Sequence, residues 1–125
     1  MRSNNVNLRT LPEDIYNLNV RQQVQNRHIK GTVEYKQYAD KLSLLGLKPS
    51  ILSSDVNIEE MVHKYHKKGI YDPNKRDNSP REKVHTGDFV GWYWDIDTKK
   101  MTPTEWIKIV YSSKGVHIYP IKPEI

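Results

Sequence analysis

The sequence contains no cysteine, so disulfide bonds, thiol nucleophiles and cysteine-ligated zinc are excluded. It also lacks any apolar run near the roughly 18 residues that a membrane-spanning helix requires, and we expect no membrane insertion. Residues 1–10 are polar, which predicts no cleavable secretory signal. Gly-rich phosphate loops and the HExxH and GxSxG motifs are absent. Nucleotide hydrolases, zinc proteases and α/β-hydrolases therefore have no support in the sequence.

The chain has 125 residues and a formal charge of +5, from 20 Lys and Arg against 15 Asp and Glu. Its aromatic content of 10% is too high for a disordered tail, and its length favours a single domain. Positive charge is concentrated in residues 21–41 and 61–83. Such a basic surface either binds a polyanion or keeps the protein soluble. From the charge alone, the second interpretation is favoured.

The first half of the sequence has helical periodicity. Thr32 is the predicted N-cap of a helix that ends near Gly46. Asn57 and Glu60 form a capping-box pattern at the start of a second predicted helix. Residues 1–17 are predicted to be an N-terminal extension or a short helix that begins near Leu11. Residues 18–125 are predicted to form the single domain.

In the second half the period changes to strand-like alternation. Residues 70–81 are predicted to be a basic loop, and residues 88–96, 104–111 and 116–119 are predicted to be strands joined by turns. This order predicts an α+β domain in which N-terminal helices pack on a C-terminal antiparallel sheet.

Two clusters have residue types that bind metals. His63 and His66 lie three residues apart on a predicted helix, but neighbouring lysines would repel a cation and favour a solvated surface. Asp95 and Asp97 are suited to Mg²⁺, but a hairpin turn is the favoured interpretation. We therefore predict no metal site. Sheet packing is likewise favoured over base stacking for the three tryptophans, Trp92, Trp94 and Trp106.

His28 and His117 are further candidates, because an ordinary imidazole both accepts and donates protons near neutral pH. Each lies within a longer motif near one end of the domain. The motifs read Gln25-x-x-His28-Ile29-x-Gly31-Thr32-x-x-Tyr35 and Tyr111-Ser112-x-x-Gly115-x-His117-Ile118-x-Pro120. Together, and in this order, they resemble the signature of the type-50 polymorphic toxin domain.

That resemblance implies a ribonuclease fold similar to barnase, EndoU and RelE, and cleavage of RNA without metal or cofactor. It also implies export as the C-terminal part of a larger or phage-associated protein, with action in the cytoplasm of a target cell. A cognate immunity protein is expected, and an acidic one would complement the basic domain. When free, the domain is expected to be a monomer.

In metal-free cleavage the 2′-hydroxyl of RNA is the nucleophile, so the enzyme supplies a base, an acid and groups that stabilise the transition state. We predict His28 and His117 as the acid–base pair, without assigning which is which. The family often has a histidine where this chain has Val110, so a third catalytic group stays unassigned. The hydroxyls of two further residues are predicted to be catalytic: Thr104 and Ser112. The predicted substrate-binding residues are Arg27, Lys30, Lys108 and Tyr119, and two loop residues are candidates for phosphate contacts: Lys75 and Arg76.

Two other functions remain open from the sequence. A non-catalytic nucleic-acid-binding module would use the same basic surface without forming products. A phage-associated structural module would make the histidines incidental. An immunity protein is the least favoured, because the partner of a basic nuclease should be acidic.

Overall fold

The computed structural model describes residues 17–72 and 79–124, so the predicted helix start at Leu11 and the basic pair Lys75 and Arg76 lie outside the described residues. The helices are α1 (Gln22–Gln25), which continues into a 3₁₀ turn (Asn26–His28), α2 (Val33–Ser43) and α3 (Ile58–Tyr65). The strands are β1 (Ile51–Leu52), β2 (Ile70–Tyr71), β3 (Arg81–His85), β4 (Gly91–Asp95), β5 (Lys100–Thr104), β6 (Trp106–Ser112) and β7 (Gly115–Pro120). The predicted α+β class is confirmed.

The two predicted helix starts that fall within the described residues, at Thr32 and Asn57, are present with their caps. The Thr32 hydroxyl accepts a hydrogen bond of 3.0 Å from the backbone N–H of Tyr35, and the Asn57 side chain accepts one of 3.1 Å from that of Glu60. Such caps satisfy backbone donors that have no partner inside the helix. Gly46, near which the helix was predicted to end, follows α2 with a φ of +73°, a left-handed conformation that favours glycine.

The larger sheet has the strand order β2-β3-β6-β7, with all pairs antiparallel. Its presence overturns the prediction that residues 70–81 are only a loop, because Ile70–Tyr71 and Arg81 belong to its strands. The side chains that β6 and β7 bury in the core are Ile107, Ile109, Tyr111, Val116 and Ile118. The shared face of β6 and β7 was predicted by alternation.

The smaller sheet has the order β1-β4-β5. The sequence predicted a single antiparallel sheet, in which the strand after the turn at Asp97 would be residues 104–111. The chain instead forms β5 first and pairs it with β4, and then crosses to the larger sheet as β6. The predicted connection from β4 to residues 104–111 was therefore wrong, because alternation within one strand does not specify which strand pairs with it.

Among the described residues, no helix is both long enough and apolar enough to span a membrane.

Candidate active site

The candidate site lies on the face of the larger sheet opposite the core. His117 and Tyr119 alternate along β7 with the fully buried Val116 and Ile118. In the ladder between β6 and β7, His117 is opposite Val110 and Tyr119 is opposite Lys108. Since side chains two residues apart share one face of a strand, the alternation of β7 places the His117 and Tyr119 rings side by side.

The segment before α2 is bound to the outer edge of β7. The backbone of Asn19 and Arg21 hydrogen bonds to that of Val116, with distances of 2.9 and 2.8 Å. Gly115 permits this approach, because a Cβ there would lie 2.7 Å from the carbonyl oxygen of Asn19. The buried side-chain amide of Gln25 then bonds both the N–H and the carbonyl of Ile118. These contacts fix the 3₁₀ turn that carries His28 beside β7.

The result is a cluster of three rings. The His28 and His117 centroids are 6.4 Å apart with planes inclined by 6°. Tyr119 lies 4.8 Å from His28 and 5.9 Å from His117, again with nearly parallel planes. Tyr38 from α2 contacts His28 edge-on at 5.7 Å. The structure thus brings together His28 and His117, which are 89 residues apart in the sequence.

Ser50 determines the tautomer of His28. The Nδ1 atom of His28 lies 3.0 Å from the carbonyl oxygen of Ser50 and 3.0 Å from its hydroxyl oxygen. A carbonyl oxygen only accepts hydrogen bonds, so Nδ1 carries the proton of the neutral ring. The lone pair is therefore on Nε2, the nitrogen that remains able to accept a proton.

A cleft of about 420 Å³ opens over these rings. It is lined by His28, Tyr38, Ser50, His117 and Tyr119. Its positively charged lining residues, within the described part of the chain, are Arg21, Arg27, Lys48 and Arg81, and none of the lining residues there is acidic. A cleft that is lined by cations and by the N–H groups of arginine and lysine side chains is suited to bind a phosphate group.

Burial and neighbouring cations lower the pKa of both histidines. Burial lowers that of His28 to about 4, an effect that the Ser50 carbonyl opposes and Arg27 increases. Burial also lowers the pKa of His117 to about 3, with the positive charges of His28, Arg27, Arg81 and Arg21 as further causes. Both imidazoles of the free protein are therefore neutral at pH 7, and the opposite protonation required of an acid–base pair is not present before substrate binds.

Tyr119 has the opposite shift. Burial raises its pKa to about 12, while Arg81 opposes the shift and Tyr38 and Asp72 add to it. Its hydroxyl consequently stays protonated at neutral pH and is available as a hydrogen-bond donor.

The structure divides the predicted site residues into two groups. Those that line the cleft with the histidines are Arg27, Ser112 and Tyr119. Thr104 does not line the cleft, and its hydroxyl donates to the Ile121 carbonyl and accepts from the Trp106 N–H. Lys108 is paired with Asp72 at 2.9 Å. Neither Lys108 nor the exposed Lys30 lines the cleft.

The structure gives the surroundings of both candidate metal clusters. His63 is exposed, whereas His66 directs Nδ1 at the carbonyl oxygens of Val62 and His63. The Asp95 carboxylate accepts hydrogen bonds from the N–H groups of Asp97 and Thr98, as the turn interpretation predicted. Among the described residues, no three His, Cys, Asp or Glu side chains are grouped as metal ligands.

Several cleft residues were not predicted. Ser50, Tyr38 and Lys48 come from α2 and the segment after it, and Arg81 comes from β3. The sequence offered no signal for them, because their relevance depends on where α2 and β3 pack. Gln25 did have a signal, its place in the first motif, but its bond to β7 was not foreseen.

The chain matches a protein-family model. The model described as bacterial toxin 50 matches residues 20–120. This span includes both motifs and the elements that form the cleft. A comparison with curated proteins finds no match.

Proposed function

The chain belongs to the bacterial toxin 50 family, and on that premise we propose that it is a ribonuclease that cleaves RNA by attack of a 2′-hydroxyl on the adjacent phosphodiester. The observation that supports this most directly is the pair of neutral imidazoles, with ring centroids 6.4 Å apart, in a cleft whose charged lining residues, among those that the structure describes, are all cations. Such a site holds an anion between two groups that exchange protons.

Binding of the scissile phosphate comes first. Arg21, Arg27 and Arg81 line the cleft beside the rings, and guanidinium groups match phosphate oxygens in a bidentate geometry. Their positive charge also stabilises the additional negative charge of the phosphorane-like transition state.

His28 is suited to be the base. Its tautomer leaves Nε2 free to accept the proton of the 2′-hydroxyl, and the Ser50 carbonyl stabilises the resulting imidazolium. The 2′-oxygen then forms a bond to phosphorus while the bond from phosphorus to the 5′-oxygen breaks.

His117 is suited to be the acid once substrate is bound. Its pKa is lowered in part by three arginines and by His28, and a bound phosphodiester offsets that positive charge. The pKa of His117 in the complex therefore rises, so that the ring takes up a proton and passes it to the departing 5′-oxygen. The products are a 2′,3′-cyclic phosphate and a 5′-hydroxyl.

Two hydroxyls complete the scheme. The protonated Tyr119 hydroxyl donates a hydrogen bond to a non-bridging phosphate oxygen. Ser112 lines the cleft, but its hydroxyl already donates to the Gly115 carbonyl at 2.9 Å. Its contribution is therefore to hold the β6–β7 turn under the site.

The biological setting follows from the same premise. Membership of a toxin family supports export, as the C-terminal part of a larger or phage-associated protein, and action on RNA in the cytoplasm of a target cell. An acidic immunity protein that covers the cationic cleft would block substrate access and match its charge.

Incubation of the purified protein with total RNA tests the proposal. We expect fragments that end in 2′,3′-cyclic phosphate, undiminished cleavage in excess EDTA, and no cleavage by H28A or H117A. H63A, which removes an exposed histidine outside the cleft, is the matched control and should cleave like wild type. Binding of RNA that is never cleaved would favour a non-catalytic nucleic-acid-binding module. Loss of cleavage in EDTA would contradict the metal-free scheme.

A further inference from the structure

A second cavity adjoins the cleft. It also measures about 420 Å³, lies between α1 and α2, and shares four lining residues with the cleft: Arg21, Val24, Arg27 and Tyr38. The Arg27 guanidinium lies 5.7 Å from the centre of the Tyr38 ring, so these two side chains form a common wall. The two cavities are therefore neighbours, on either side of the Arg27 and Tyr38 side chains.

The chemistry of the second cavity differs from that of the cleft. Lys41 and Gln37 line it from α2, and neither lines the cleft. Within residues 17–72 and 79–124, no carboxylate lies within ion-pairing distance of Lys41. Glu34 also lines this cavity, and its carboxylate accepts a hydrogen bond of 3.2 Å from the Asn26 amide. The cavity thus offers a cation for a phosphate, and an amide and a carboxylate that recognise polar base edges.

We propose that the second cavity is a subsite for the nucleotide that comes after the two flanking the scissile phosphate, so that the substrate is single-stranded RNA lying along both cavities. This inference rests on the proposed function. A cavity of this volume accommodates one small ligand, and only a single strand frees its bases to enter such cavities one at a time. The shared arginines would contact the linking phosphate, and Lys41 would contact the next one along.

Binding of uncleavable RNA tests the subsite without requiring catalysis. Fluorescence anisotropy with 2′-O-methyl oligonucleotides compares a dinucleotide with a hexanucleotide. We expect wild type to bind the hexanucleotide roughly tenfold or more tightly, because only the longer strand places a further base in the second cavity and a phosphate beside Lys41. K41A should lose most of that gain and leave dinucleotide affinity unchanged. Its slope of log affinity against log salt should also fall by about 0.7.

K36A is the matched control. Lys36 lies on the same helix, is paired with Asp40, and lines neither cavity, so its removal makes the same change in net charge. Equal losses of hexanucleotide affinity in K36A and K41A would overturn the subsite, as would equal affinity of wild type for both lengths. If the proposed function is wrong, total RNA stays intact in the cleavage assay. That result is separate from the subsite test, because the binding assay does not depend on cleavage.

Discussion

The side-chain amide of Gln25 replaces a neighbouring strand at Ile118. Its Nε2 donates to the Ile118 carbonyl and its Oε1 accepts from the Ile118 N–H, each at 2.8 Å, with Gln25 fully buried. Upstream, Arg21 bonds the same edge of β7 at Val116. Ile118 lies between His117 and Tyr119, so this pair of hydrogen bonds sets the position of His28 against both rings.

Q25A should therefore destabilise the protein and misplace His28. Loss of the amide leaves a buried donor and a buried acceptor of Ile118 without partners, a cost of about 2–4 kcal/mol. Urea unfolding measures the loss, and Q23A, at an exposed position of the same helix, is the control that should change stability little. Equal unfolding midpoints for Q25A and wild type would contradict the role assigned to Gln25.

Q25E gives a second test at the same position. A protonated carboxyl reproduces both hydrogen bonds, whereas an ionised one cannot donate to the Ile118 carbonyl. Burial and the lost donor raise the folded-state pKa of this carboxyl above its unfolded value near 4.3. Its contribution to stability is therefore present below about pH 4.3 and is lost as the pH rises. Relative to wild type, Q25E should be less destabilised at pH 4 than at pH 7 in urea unfolding.

Tyr111 belongs to the second motif, but its side chain faces the core. Its hydroxyl donates to the buried carboxylate of Glu82, which also accepts from the N–H groups of Lys67 and Gly69. Y111F should lower stability by about 1–3 kcal/mol, because a buried carboxylate loses a donor. RNA cleavage under conditions where the variant is folded should match wild type. A cleavage defect in folded Y111F would place Tyr111 in the active site instead.

The free energy of unfolding should decrease with acidity over the range in which the two histidines are kept neutral. The folded-state pKa values of His28 and His117 are about 4 and about 3, below the ordinary 6.5. As the pH falls below about 6.5 the unfolded chain binds protons that the folded chain does not. Stability is therefore full above that pH and decreases by up to about 1.4 kcal/mol per pH unit for each histidine. Chemical unfolding at pH 5 and 7 measures this, and the double variant H28Q/H117Q should have a weaker dependence.

The pH profiles of kcat and kcat/KM should differ, because kcat reports the pKa values of the substrate complex and kcat/KM those of the free enzyme. A bound phosphodiester raises the pKa of the histidine pair, so the optimum of kcat should lie at higher pH than that of kcat/KM. R27A removes a cation that lowers the pKa of both rings, so its kcat/KM optimum should move to higher pH while the maximum rate falls. K30A, an exposed change outside the cleft, should leave the profile in place. Coincident profiles for R27A and K30A would contradict this assignment.

The sequence predicted those parts of the fold that depend on a few neighbouring residues. Caps at Thr32 and Asn57 and the alternation of β7 were all readable, because a cap satisfies N–H groups within one turn and a strand has a period of two. The partner strand of β4 could not be predicted, because Lys100–Thr104 has little strand-like alternation and because strand pairing depends on the rest of the sheet.

By itself, the sequence determined the α+β class, the two motifs and the side of β7 on which His117 lies. Only the tertiary structure decided that His28 meets His117, that Ser50 sets the tautomer of His28, and that arginines from separate elements surround the pair. The physical reason is the distance along the chain over which each interaction acts. Helix caps and strand alternation depend on residues only a few positions apart. The pKa of a histidine depends on burial and on charges that approach only when distant segments pack together.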